Sequence, residues 1–387
     1  MTYAIYGRTS LYEFLGDFIV YRNLVPADKR MPSLADLREP LGLGASVLPR
    51  KAEPAYGRVV AEMLRRARAL TGSGAEIRRV IYIGDTRLND GTAFQNLCAA
   101  GEWPGWAFIG RDDGQSPPQV EVEGRLYIAN RWSALPEFLR FLEAAKFGLD
   151  AGTAVVIDVD KTAIGARGRN DRVIDQARVE GVQRTVADLL GPHFDEAAFR
   201  AAYTELNKPV YHAFTADNQD YLAYICLILG AGLYSVDDVV RDVKSGALQR
   251  FSDFIAGVQT HRAELAATGL MPVHDEVWRC NQEGDPTPFK AFRYNEYQTT
   301  VARFGDLPGA TAQDVLVQRI AITQEVRMAA RMLHDRGALI FGLSDKPDEA
   351  SLPNPAQAAV GMRPLHRLET LSVGAGALPT GASWRQV

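Results

Sequence analysis

The chain has 387 residues, 47% of them hydrophobic and 23% charged, a globular composition with room for two domains or one large domain carrying an insertion. Its 43 basic and 47 acidic residues leave a formal net charge of −4, so no broad basic surface announces a nucleic-acid partner. The three cysteines, Cys98, Cys226 and Cys280, are scattered; they form neither a disulfide framework nor zinc-ligand spacing and fit a reducing cytoplasm.

The first 50 residues are mixed, with Pro26, Pro32, Pro40 and Pro49 punctuating short apolar runs. The most apolar of these, Leu11 to Val25, is broken by Glu13, Asp17 and Arg22. There is no basic-then-apolar leader and no later stretch of membrane-spanning length, so the chain reads as soluble and cytoplasmic, without a membrane partner. From Tyr56 to Leu70 the apolar residues Val59, Val60, Met63, Leu64 and Ala67 keep helical spacing, with Arg65, Arg66 and Arg68 as a solvated face. Val80-Ile81-Tyr82-Ile83 then predicts a buried strand ending at Gly84-Asp85, followed by a helix through Ala93, Leu97 and Ala100. Strands at Trp106 to Ile109 and Arg125 to Ala129, and a helix from Ala134 to Ala145, continue the alternation. A Gly-containing connection over 143–153 leads to another buried strand, Ala154-Val155-Val156-Ile157, which ends in Asp158.

Such alternation predicts an α/β architecture with a parallel sheet and crossover helices. Two apolar strands that each end in aspartate point to a shared site at the carboxyl edge of that sheet, where open α/β sheets bind ligands. Beyond residue 170 the pattern is helical, over Arg172 to Leu190, Glu196 to Leu206, Gln219 to Leu229, Val236 to Ala256 and Ala312 to Arg336. One more apolar strand, Ala338 to Leu343, follows, and the Gly- and Ala-rich tail from Gly374 reads as loose. No repeat of fixed period occurs.

The segment IDVDKTAIG, residues 157–165, sets Asp158 and Asp160 one residue apart with Thr162 two further on. Alternate positions on an extended backbone point the same way, so both carboxylates could face one ligand. One could attack phosphorus while the other moves a proton to the leaving group. This segment resembles the D-x-D-x-T first motif of the haloacid dehalogenase (HAD) phosphatases. The resemblance implies Asp158 as nucleophile, Asp160 as general acid and base, and Thr162 in support; Lys161 stands where many members have glycine. VIYIGDTRLND, residues 80–90, resembles the family's fourth motif, with Asp85 and Asp90 around Mg²⁺. LPRKAEPAYGRVVAEML, residues 48–64, resembles the third, in which Lys51, with Arg50 beside it as a rival, offsets clustered negative charge. ALIFGLSDKP, residues 338–347, resembles the second, with Ser344 donating to the phosphoryl group.

In chain order the motifs run third, fourth, first, cap, second, a circular permutation of the family's usual order. It is equivalent to cutting the usual chain between its second and third motifs and joining the old ends near 143–153. The resemblance implies a Rossmannoid parallel sheet with helices on both faces plus a large helical cap. The core would occupy 1–165 and 336–387, and the cap 166–335. It also implies a Mg²⁺-dependent phosphatase working through an aspartyl-phosphate, with Asp158, Asp160, Asp85 and Asp90 around the metal and Asp158, Asp160, Lys51, Ser344 and Thr162 in the chemistry. A small phosphorylated substrate is expected, with candidate cap contacts at Arg167, Arg169, Asn170, Lys208, His212, Lys290, Arg293 and Tyr294. The competing readings are a nucleic-acid end-processing phosphatase, which the acidic net charge disfavours, and a non-catalytic binding protein, which would need neither aspartate of the first motif. One chain supplies all four motifs, so an intramolecular site is expected.

Overall fold

A computed structural model describes residues 1–44 and 48–376. The described strands are β1 (Tyr3–Thr9), β2 (Ile19–Val20), β3 (Arg79–Gly84), β4 (Gly105–Gly110), β5 (Val120–Glu123), β6 (Leu126–Ala129), β7 (Thr153–Asp158), β8 (Ile322–Thr323), β9 (Leu339–Leu343) and β10 (Thr370–Ala375). A seven-stranded sheet has the order β2-β9-β7-β3-β4-β6-β5. Its neighbours are parallel except β5 and β6. A smaller sheet, β1-β10-β8, pairs β10 antiparallel with β1 and parallel with β8. The protein is therefore α/β with a mixed sheet whose central strands are parallel.

The central strands are buried on both faces, which explains their unbroken apolar runs. Val80, Tyr82, Ala154, Val156, Leu339 and Phe341 pack with Tyr56, Val60, Leu64, Phe94 and Leu97, so the helices Pro54–Leu70 and Asn89–Gly101 cover one face. Phe108 points the other way and packs on Phe138 and Trp132, placing the helix Leu135–Ala144 on the opposite face.

Two compact units emerge. One contains Met1–Gln176, Thr300–Leu352 and the described residues from Ala358 onward; the other contains Ala177–Thr299 and Pro353–Gln357. The second is all helical, cored by Leu222, Tyr224, Ile228, Phe251, Phe254, Phe289 and Phe292. Its boundaries differ from the expected 166–335: residues 166–176 and 300–335 belong to the unit that holds the sheets, and 353–357 to the helical one.

Several expectations are corrected. The helix read over Val236 to Ala256 is two, Val236–Ser245 and Phe251–Thr260, divided where Gly246 takes φ +80°. The helix read over Ala312 to Arg336 is also two, Ala312–Gln318 and Gln324–Asp335, because β8 pairs with β10 between them. Antiparallel pairing of β10 with β1, Gly374 opposite Ala4 and Ala375 opposite Tyr3, makes these two residues part of a strand rather than loose tail; residues 377–387 lie outside the described residues. Arg68 is not solvated: it is buried and donates to the carbonyls of Thr153 and Gly337, closing the starts of β7 and β9.

Candidate metal centre

Register places the site. β3 and β7 are adjacent and parallel with Ile83 opposite Ile157, so Asp85 and Asp158 leave the sheet at the same carboxyl edge. On the other side of β7, Asp158 lies opposite Leu343, and Ser344 begins the following loop. Hydrogen bonds from Val159 N to Leu343 O (2.9 Å) and from Ser344 N to Val20 O (3.0 Å) hold this edge beyond the strand ends.

Asp90 lies in the first turn of the helix Asn89–Gly101, where free backbone amides and the helix dipole favour a carboxylate. Its Oδ2 accepts from the backbone N of Asp85 (3.2 Å) and Thr86 (2.9 Å) and from Thr86 Oγ1 (2.7 Å). Its Oδ1 accepts from the Tyr82 hydroxyl at 3.1 Å and from Lys51 Nζ at 2.9 Å. Gly84 is glycine for a contact reason: a Cβ there would stand 2.6 Å from Asp90 Cβ. Lys51, three residues before the helix Pro54–Leu70, also donates to Asp158 Oδ1 at 2.5 Å. Lys51, Asp90 and Asp158 are respectively 5%, 1% and 3% exposed, so the charges meet in an environment that screens them weakly. Arg50, the rival cation, lies instead 3.9 Å from Asp345.

The electrostatics follow from that crowding. Burial, then the Asp90 carboxylate, pushes Asp85 up to about 7, although Arg167 opposes the shift. Burial also raises Asp158 well above the usual carboxylate range, with Lys51 opposing and Asp90 and Asp85 adding to it. Asp90 moves the other way: against burial, Lys51 and the Thr86 hydrogen bonds hold it low. Against burial too, Asp158 and Asp90 hold the Lys51 ammonium well above its ordinary value.

The turn after β7 is fixed by Thr162 N to Val159 O, Ala163 N to Asp158 O and Ile164 N to Val159 O. Lys161 takes φ +64°, the left-handed conformation that costs a side-chain-bearing residue and suits glycine. Thr323 N donates to Ala163 O and Gly165 N to Ala321 O, so β8 braces the turn. Thr162 is buried, and its Oγ1 has no hydrogen-bond partner among the described residues.

One carboxylate oxygen from each of Asp85, Asp90 and Asp158 lies within 4.8 Å of the others. This is the cluster that could hold a metal ion. No family model, curated protein or solved structure matches the chain. Counted in their ionised forms, three carboxylates face two cations, Lys51 and Arg167, a surplus of one negative charge in a buried place. An all-oxygen donor set suits a hard divalent cation, which would offset that surplus. Asp90 has both oxygens committed to hydrogen bonds and serves as a brace, so Asp85 and Asp158 are the carboxylates with donor capacity to spare.

Of the residues singled out from sequence, the fold brings Asp85, Asp90, Asp158 and Lys51 into one cluster and puts Ser344, 2% exposed, on the adjoining strand end. The Asp160 carboxylate is not in that cluster; it is half-buried at the turn, where the chain has left the extended backbone on which alternation was argued. Among the supposed cap contacts, Arg169 is buried between Asp112 and Glu325, and Asn170 bonds Leu316 O, Arg319 O and Ala321 N. Arg293 is buried between Asp220 and Glu296, so all three hold structure rather than face a ligand. Lys208, His212 and Lys290 pair with Glu205, Asp217 and Asp285. Tyr82 and Thr86, which orient Asp90, were not anticipated; a polar hydroxyl inside an otherwise apolar strand was the available sign of Tyr82.

Proposed function

We propose that this chain is a phosphatase of the haloacid dehalogenase type, with its motifs circularly permuted, that hydrolyses a small phosphomonoester with Mg²⁺ bound. The observation that carries the reading is the meeting of Asp85 and Asp158, from adjacent parallel strands, with Lys51 between Asp158 and Asp90. Three segments separated in sequence thus supply a carboxylate pair and its counter-cation at the edge where α/β sheets bind ligands. The strand ending in the first motif lies between those ending in the second and fourth, with no second chain needed to complete the set. Lys161, at the position where the family often has glycine, adopts a backbone that favours glycine, which also supports the resemblance.

In this reading an Asp158 carboxylate oxygen attacks phosphorus in line. The bond to the leaving oxygen breaks, and the Asp160 carboxyl delivers a proton to that oxygen. Water then attacks the phosphorus of the aspartyl-phosphate while the Asp160 carboxylate takes its proton; inorganic phosphate leaves and the Asp158 carboxylate is restored. Lys51 favours the ionised nucleophile and leaves it a second oxygen, since it contacts Oδ1 and no described hydrogen bond reaches Oδ2. The Asp85 and Asp158 carboxylates would hold the Mg²⁺, which when bound supplies Lewis-acid stabilisation of phosphoryl oxygens. Ser344 and the unpartnered Thr162 hydroxyl are the neutral donors available to the transferring group.

The test is phosphate release from a panel of sugar, nucleotide and oligonucleotide phosphates, with Mg²⁺ or with EDTA, for the wild type and Asp158→Asn. Metal-dependent release lost in a folded Asp158→Asn protein is expected. Undiminished turnover in that variant, or in EDTA, would sink the assignment.

A further inference from the structure

Asp85 already has a cation. The Arg167 guanidinium Nε sits on Asp85 Oδ2, with the carboxylate 5% exposed and the arginine side chain 36% exposed. The backbone beneath this arginine is pinned. Arg167 N donates to Lys161 O at 2.8 Å, and Arg167 O accepts from Asp112 N at 2.9 Å and Trp132 Nε1 at 3.2 Å. The next residue, Gly168, takes φ +76°, and a Cβ on it would stand 1.9 Å from Asp112 O, so the loop lies tight against its neighbour. The Arg167 side chain, partly in solvent on an unbranched stem, can therefore leave Asp85 without any movement of the chain that carries it.

We infer that Arg167 is an exchangeable stand-in for the divalent cation, occupying Asp85 until the metal displaces it and then free to pair with the substrate's phosphoryl group. The inference rests on the metal reading above. The charges support it. With Lys51 and Arg167 in place the three carboxylates, counted as ionised, keep one surplus negative charge. A divalent cation in the guanidinium's place brings the count to neutral, and the displaced arginine, tethered beside it, then offers a positive charge to an incoming dianion. In this pair the arginine reaches solvent, so it can be rehydrated as it leaves while the metal takes over the buried carboxylate, whereas Lys51 is buried together with both of its partners.

The experiment measures Mg²⁺ binding by calorimetry, and Mn²⁺ binding by electron paramagnetic resonance, for the wild type, Arg167→Met, Arg167→Lys and Asp85→Asn. Heat denaturation confirms that each variant is folded. Exchange predicts that Arg167→Met binds the cation about tenfold more tightly, a usual size for coupling between two ligands of one group. Arg167→Lys, which keeps the charge, should fall between it and the wild type. In the wild type, the Arg167 Nε–H resonance should shift or broaden when Mg²⁺ is added. Cation binding by the wild type that Arg167→Met leaves unchanged or weakens overturns the exchange and spares the metal reading. Absence of binding in both the wild type and a folded Arg167→Met protein overturns the metal reading itself.

Discussion

Replacing Lys51 by methionine is the sharpest test of the charge cluster. Methionine nearly conserves the volume of the aliphatic stem, so packing changes little and the variant chiefly removes a charge. What it leaves behind is costly: Asp158 loses a partner at 2.5 Å and Asp90 one at 2.9 Å, and both carboxylates are essentially buried. Breaking a buried ion pair from one side costs about 3–5 kcal/mol, because the orphaned charge stays desolvated. Lys51→Met is therefore expected to lose about that much at pH 7 in EDTA, measured by urea denaturation followed by circular dichroism. The deficit should shrink as pH falls. Burial raises the Asp158 carboxyl and Lys51 opposes that rise, so removing Lys51 raises it further; the folded variant then binds this proton more tightly than the folded wild type and gains more stability as pH falls. Adding Asp158→Asn to Lys51→Met removes one of the stranded charges, so the double variant should be more stable than additivity predicts, by about 2 kcal/mol. A Lys51→Met protein within about 1 kcal/mol of the wild type in EDTA, or strict additivity in the double variant, would refute the argument.

Three further outcomes follow from particular contacts. Gly84→Ala puts a methyl into the Asp90 side chain and is expected to cost about 1–3 kcal/mol and to weaken metal binding; an unchanged melting temperature would contradict this. Lys161→Gly relieves the φ +64° backbone at the loss of a part-exposed pair with Asp175, and should stabilise by up to about 1 kcal/mol in thermal denaturation, whereas Lys161→Ala should not. Asp348 is pushed up to about 6, chiefly by burial, so the folded state binds its proton more tightly than the unfolded chain. Its contribution is full below the ordinary aspartate range and is lost as pH rises to about 6, at most about 1.4 kcal/mol per pH unit; Asp348→Asn should flatten that slope in denaturation midpoints.

Residues 80–85 and 154–158 were legible as strands because a parallel strand covered on both faces must be apolar throughout, and each ended in aspartate where the apolar run stopped. Lys51 was legible only through its resemblance to a motif. A lysine before a helix is ordinarily solvated, and nothing local announces that this one is buried. β2, β8 and β10 were missed for a related reason. Two of them are two residues long, too short for periodicity, and all exist through pairing with distant partners, as Val20 does with Leu343 and Val373 with Thr323. Arg169 and Arg293 were candidates only, because a charged residue in a polar segment looks the same whether it meets a ligand, solvent or a buried carboxylate.

The sequence by itself determined an α/β chain with two acidic strand ends and a helical insertion, since those follow from local apolar periodicity and from where it breaks. Only the tertiary structure decided that β3 and β7 are neighbours in register, that Lys51 enters between Asp90 and Asp158, and that Arg167 rather than solvent meets Asp85. Pairing partners and the burial of charge depend on contacts between residues far apart in the chain, and no local pattern encodes them.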